Sequence, residues 1–278
     1  MWRLPFRNDF LSRLGVLLLV IVLLLGLFGP LVPAVGDPTK IAFGPRLSMP
    51  APGWPLGTDN LGRTLLPRVL QGIRITFLLA TAPVLITSAI AVMIGMLAGY
   101  LGGWFDELVV RLADVLFSFP SLLLGMILVA ILGPGIPGIM VAIVLLTLPL
   151  MVRVVRAMTL TVAGRDYVAA ARVSGSSLGR LLIVHILPNI AGAVVVQATF
   201  TISVSMLIES GLSFLGLGVQ PPVASLGSLV HDGSVYLVTA PWLAFAPGIF
   251  LACAIFSVNL LGDSLRDRLD PLEARLLK

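Results

Sequence analysis

Several long stretches of the chain carry almost no polar side chains, and their lengths set the first expectation. A helix needs about 20 predominantly apolar residues to cross the hydrocarbon layer of a membrane. Stretches of that kind cover residues 14–32, 75–98, 112–132, 138–158, 190–208 and 242–262. The pattern predicts an all-α integral membrane protein with six transmembrane helices and both termini on one side. The first stretch also resembles the apolar core of a cleaved signal peptide, with Arg3, Arg7 and Arg13 before it. It is longer than such a core and no A-x-A site follows, so a retained anchor helix is expected.

The connections are informative too. Leu65, Leu66, Val69, Leu70 and Ile73 recur at helical spacing within 61–73. This predicts an amphipathic helix lying on the outer surface ahead of the second span. The inner connection 159–189 takes about thirty residues where a helical hairpin closes in 2–8. It reads Tyr167-Val168-Ala169-Ala170-Ala171-Arg172, then Val173-Ser174-Gly175. Three alanines favour a helix over 165–173, and Gly175 is a natural stop at positive φ. A second helix is expected over 178–187, ending at Pro188. The outer segment 211–240, rich in glycine and proline, reads as a loop re-entering between helices. The expected organisation is an N-terminal anchor and outer loop (1–74), a core (75–264) and a cytoplasmic tail (265–278).

Composition sharpens the class. Hydrophobic residues make up 58% of the chain and charged ones 11%, with a mean hydropathy of +1.07. A soluble domain carries about 25% charged residues, so a soluble enzyme or disordered scaffold is excluded. The single cysteine, Cys253, excludes an internal disulfide. A net charge of +5 raises the question of nucleic acid. The basic residues, however, sit at the ends of apolar stretches rather than in a dense run. With the N-terminus inside, the outer side holds only Lys40, Arg46, Arg63, Arg68 and Arg74, and the other thirteen of the 18 lie inside. That asymmetry places both termini in the cytoplasm. Two catalytic motifs are missing: there is no H-E-x-x-H and no lysine following a glycine as a P-loop needs. No cofactor and no metal site is expected; His231 and Asp232 are too few to hold an ion.

Inside the fifth span Gln197, Thr201, Ser205 and Glu209 are spaced four apart. Each step drifts about 40° around a helix, so the four share a sector of about 120°. Polar groups in a membrane face protein or water. The row either lines a passage at an interface with a partner or bonds the bundle together. Glu209, about 30 Å along the helix from its cytoplasmic start, either gates the outer mouth or pairs with Arg63 or Arg74. Gly95 and Gly99 predict close helix packing, and Pro120 and Pro149 predict kinks within spans. Asp263, Arg266, Asp267, Arg268 and Asp270 after the sixth span form either an ATPase-facing tail or an ion-pair cluster.

Residues 167–188 resemble the cytoplasmic loop motif of ABC importer permeases, E-A-A, three residues, Gly, nine residues, I-x-L-P. Ala170, Ala171, Gly175, Leu187 and Pro188 match, while Ala169 replaces the glutamate and His185 the isoleucine. Further segments resemble the dipeptide, oligopeptide and nickel branch, of its second-permease type. They are Leu56-Gly57-Thr58-Asp59-Asn60-Leu61-Gly62-Arg63, Ala98-Gly99-Tyr100-Leu101-Gly102-Gly103-Trp104-Phe105-Asp106, Gly211-Leu212-Ser213-Phe214-Leu215-Gly216-Leu217-Gly218 and Asn259-Leu260-Leu261-Gly262-Asp263-Ser264-Leu265-Arg266-Asp267. The resemblance implies a type I importer fold in a prokaryotic inner membrane and no catalysis by the chain itself. It implies a second permease subunit, two ATP-binding subunits and an extracytoplasmic solute-binding protein as partners. The helix over 165–173 is then the coupling helix, and the cargo is peptide first and nickel or a metal chelate second. A non-transporting membrane assembly protein is the reading from a different class.

Overall fold

The computed structural model of the chain describes residues 10–29, 36–41 and 44–269, which are mostly helical. In chain order the helices are α1 (Phe10–Phe28), α2 (Leu65–Leu101), α3 (Gly103–Phe117), α4 (Ser121–Leu132), α5 (Ile136–Ala163) and α6 (Asp166–Val173). There follow α7 (Leu178–Arg180), a π-helical turn (Leu181–Ile186), α8 (Leu187–Phe214), α9 (Leu226–Ser234) and α10 (Trp242–Leu269).

By length and composition, four helical stretches among the described residues can cross a membrane: α2, α5, the continuous run Leu178–Phe214, and α10. The count is five if α3 and α4 form one broken span. The expected third span is therefore not a single kinked helix. Its two halves meet at 93°, and Pro120 stands at the cap of α4 rather than inside a helix. Proline lacks the N–H that a continuing helix needs and disfavours helical geometry in the residue before it, so the chain breaks there. Pro149 does lie inside α5. The expected first span corresponds to α1, 19 residues packed on α10 and α2, and its predicted end at 30–32 lies outside the described residues.

Three other expectations change. The amphipathic stretch 61–73 is not a separate surface helix. From Leu65 onward it forms the first turns of α2, and Leu65, Val69, Leu70 and Ile73 are buried. Their apolar face is covered by Val22 of α1, Leu226 and Leu229 of α9 and Leu243 of α10, partners distant in sequence. The helix expected over 178–187 does not end at Pro188. It continues through the π-helical turn into α8, and the wider turn lies just before Pro188, whose missing N–H removes one bond to the preceding turn. The tail expected from 265 is helical to Leu269 as part of α10, and 270–278 lie outside the described residues.

Large apolar side chains such as Leu85, Ile131 and Ile249 stand at the surface, which suits contact with lipid tails. The interior is closed by small residues. A Cβ on Gly95 would sit 2.8 Å from Val155 Cβ, and one on Gly99 would sit 2.8 Å from the carbonyl oxygen of Arg156. These two glycines let α2 lie directly on the backbone of α5, the close packing their spacing predicts. At the same end Arg156 pairs with Asp106 and Arg153 with Asp114, which ties α3 to α5.

Gly99→Val should therefore lower the thermal unfolding temperature of the detergent-purified protein, at a cost of about 1–3 kcal/mol for overpacking. Gly179→Ala, where an added Cβ meets nothing within 4 Å, should leave it unchanged.

Candidate functional site

Two regions hold the residues that the sequence singles out. The first is α6. Arg165 caps its start with extended backbone, Asp166 lies in the first turn and Arg172 in the last, charges placed to suit the helix dipole. Its end is closed by two bonds: Gly175 N–H donates to Arg172 O at 3.0 Å and Ser176 N–H to Ala171 O at 3.1 Å. That pair is the Schellman arrangement, and it requires a left-handed residue, which Gly175 supplies at φ +81°. Val168 is fully buried, in an apolar cluster with Val162, Leu181, Leu182 and Ile186. Tyr167, Ala169 and Ala170 are exposed, and Val173 is 88% exposed. Arg172 reaches back to α2: its Nε donates to Tyr100 Oη at 3.0 Å, with the guanidinium carbon 5.0 Å from the ring centroid. Leu187 is half-buried and Pro188 exposed where α8 begins. The result is a short helix presenting small and apolar side chains outward while one valine and one arginine hold it to the bundle.

The second region is the row on α8. The structure separates its members. Gln197 is half-buried and lines a cleft of about 620 Å³ between α5, α8 and α10, together with Phe200, Arg165 and Arg266. Thr201 is buried, its hydroxyl donating to Gln197 O at 2.8 Å. Ser205 is buried with no hydrogen-bond partner. Glu209 is fully buried and pairs with neither Arg63 nor Arg74, which corrects the expected ion pair. Its Oε1 accepts from Ser213 at 2.7 Å, and its Oε2 accepts from Ser210 at 3.3 Å and Thr76 at 3.4 Å. Thr76 Oγ1 in turn accepts the N–H of Leu226 at 3.0 Å, so one carboxyl joins α8, α2 and the start of α9.

Arg63 and Arg68 meet Asp59 instead. Asp59 Oδ1 accepts the N–H groups of Leu61 and Arg63 at 2.8 and 2.9 Å, while Oδ2 accepts Arg63 Nε at 2.6 Å and Arg68 Nη1 at 2.9 Å. Arg68 Nη2 also reaches Asp232 at 3.3 Å. The segment Leu56 to Arg63 thus builds a buried ionic turn that pins the loop ahead of α2 to α2 and α9. Asp232 serves this network, and His231 stands edge-on to Phe214 with ring centroids 5.8 Å apart. Where the sequence suggested a loop, α9 is a helix held by a capping box, Ser225 and Ser228 each bonding the other's backbone N–H. Sequence reasoning missed Arg68, Thr76 and Ser213. The visible signal was three polar side chains with an apolar neighbour on every side, at the ends of spans.

Apolar spans, outward-facing leucines and isoleucines, and a backbone paired within long helices define a multi-pass helical membrane protein. Comparison with known proteins makes the assignment specific. The family described as binding-protein-dependent transport system inner membrane component matches residues 91–274. The di/tripeptide transport system permease protein DppC of Pseudomonas aeruginosa is 39% identical over 92% of this chain and 86% of its own length. The oligopeptide transport system permease protein OppC of Bacillus subtilis is 35% identical over 96% and 88%. The glutathione transport system permease protein GsiD of Pectobacterium atrosepticum is 39% identical over 78% and 72%. The chain belongs to the family of binding-protein-dependent transport inner membrane components and is a permease subunit.

The two acids of the outer network should differ sharply in weight. Asp59→Ala leaves Arg68 buried without its closest partner and should cost about 3–5 kcal/mol. Asp232, whose side chain is 53% exposed, should cost less than about 1 kcal/mol when replaced by alanine. Thermal unfolding of the two variants in the same detergent checks the contrast.

Proposed function

We propose that this chain is one of two permease subunits of an ATP-driven importer of di- and oligopeptides, and that α6 with its Gly175 turn docks on an ATP-binding subunit. The observation that carries the reading is α6 itself, an eight-residue helix outside the bundle whose exposed face is Tyr167, Ala169, Ala170 and Val173. Small side chains let a partner's backbone approach closely. With Ala169 at the motif's glutamate position, this docking relies on shape and apolar contact rather than on a carboxylate there. Two ATP-binding subunits, a second permease and an extracytoplasmic binding protein complete the assembly. Peptide is favoured over nickel because the relatives compared are named for peptides and glutathione.

In this reading the chain crosses the inner membrane six times, through α1, α2, the broken pair α3–α4, α5, α7–α8 and α10, with both termini in the cytoplasm. The support is the asymmetry of basic residues. The cleft beside Gln197 is the cytoplasmic half of the passage, completed by the second permease. Thr201, Ser205 and Glu209 are buried against this chain's own helices rather than facing cargo, and Glu209 ties the bundle together. Closure of the ATPases shifts α6, and access switches sides because the two ATPase states bind α6 in different positions.

The test uses the complex co-expressed with its neighbouring subunits and reconstituted in liposomes. Gly175→Val with Ala170→Trp should leave the subunits co-purifying and ATP hydrolysis active, while uptake of a radiolabelled dipeptide falls at least tenfold. Unaltered uptake would overturn the docking assignment, and so would purification with no ATPase attached.

A further inference from the structure

What fastens α6 to the bundle decides where a push on it goes. Its chain ends lead into α5 and α7. Val168 sits in an apolar cluster with Val162, Leu181, Leu182 and Ile186 that also takes in Ala91 and Met96 of α2, a contact without direction. Arg172 differs. Its bond to Tyr100, at 3.0 Å, is the only side-chain hydrogen bond made by α6 among the described residues, and it crosses to α2, 72 positions earlier.

Tyr100 lies in the last turn of α2, directly after Gly99, where α2 rests on the backbone of α5. α2 is a helix of 37 residues that continues through Pro83. Near its opposite end, about 36–48 Å away at 1.5 Å per residue, Thr76 holds the first N–H of α9 and Arg68 holds Asp232. A single helix therefore touches the cytoplasmic helix at one end and the short outer helix at the other.

We propose that Arg172 and Tyr100 form a positioning clasp through which motion of α6 is passed to α2 and on to α9. Neither residue touches cargo or nucleotide; both act through α2. The hydrogen bond fixes direction and the stacked cation keeps contact as the angle between the helices changes. This inference rests on the reading of α6 as the ATPase-docking helix.

The test is the ratio of ATP hydrolysed to dialanine taken up by proteoliposomes holding the whole complex. Arg172→Gln and Tyr100→Leu should each raise that ratio at least fivefold with the subunits still assembled. Tyr100→Phe, which keeps the ring, should raise it less than twofold, and Arg172→Lys should recover part of the loss. The Arg172→Gln/Tyr100→Leu double variant should be no worse than the poorer single one. A contact with only a structural role would lower yield or unfolding temperature and leave the ratio of the assembled complex at the wild-type value. That result, with Gly175→Val uncoupled in parallel, overturns the clasp and leaves the docking reading standing. If Gly175→Val is also unaffected, both fall. Should Arg172→Gln fail to assemble, wild-type ratios in both Tyr100→Leu and Tyr100→Phe overturn the proposal.

Discussion

Lipid tails offer no hydrogen bonds, so backbone polar groups at membrane depth must find their partners within the protein. The backbone meets this requirement by forming long helices. The buried Glu209 meets the same need by gathering the hydroxyls of Ser210, Ser213 and Thr76, and Thr76 passes its oxygen to the N–H of Leu226. Once Glu209 is placed, α8, α2 and α9 are fixed relative to one another. The same need explains why α9, although short and surrounded by glycines and prolines, is a helix with both ends of its first turn capped by serines.

The two ends of the bundle solve different problems. One end is locked by charge, with Asp59 accepting four hydrogen bonds from its own turn and from Arg68. The other end keeps one element more loosely held: α6 is anchored by Val168, Ala171 and Arg172, and its remaining residues are exposed. Between them runs α2, with Pro83 inside it, pressed against α5 where Gly95 and Gly99 leave room for no side chain.

Much of this was legible along the chain. Apolar runs located α2, α5, α8 and α10, since membrane thickness sets helix length independently of neighbours. The helix over 165–173 and its stop at Gly175 followed from local rules, alanine propensity and the left-handed cap, which need no tertiary partner. The glycine pair on α2 was read correctly because its spacing marks a face open to close approach, although not that α5 would fill it. Legibility failed where a partner came from elsewhere in the chain. The stretch 61–73 looked amphipathic and therefore superficial, yet α1, α9 and α10 cover its apolar face. Periodicity shows that a face is buried, and it does not show by what.

The row on α8 marks the division most clearly. Sequence alone determined that Gln197, Thr201, Ser205 and Glu209 share one side of a helix, because 3.6 residues per turn admits no other arrangement. Which of them meets open space was decided by packing: Gln197 borders the cleft, and the other three are closed in by neighbouring helices. Likewise the sequence determined that Asp59, Arg63, Arg68 and Asp232 are charged and near the ends of spans. Only the fold brought a residue at 68 and one at 232 within 3.3 Å. Local structure depends on bonds along the chain, which sequence contains. Pairing across the bundle depends on how whole helices pack, which no single segment encodes.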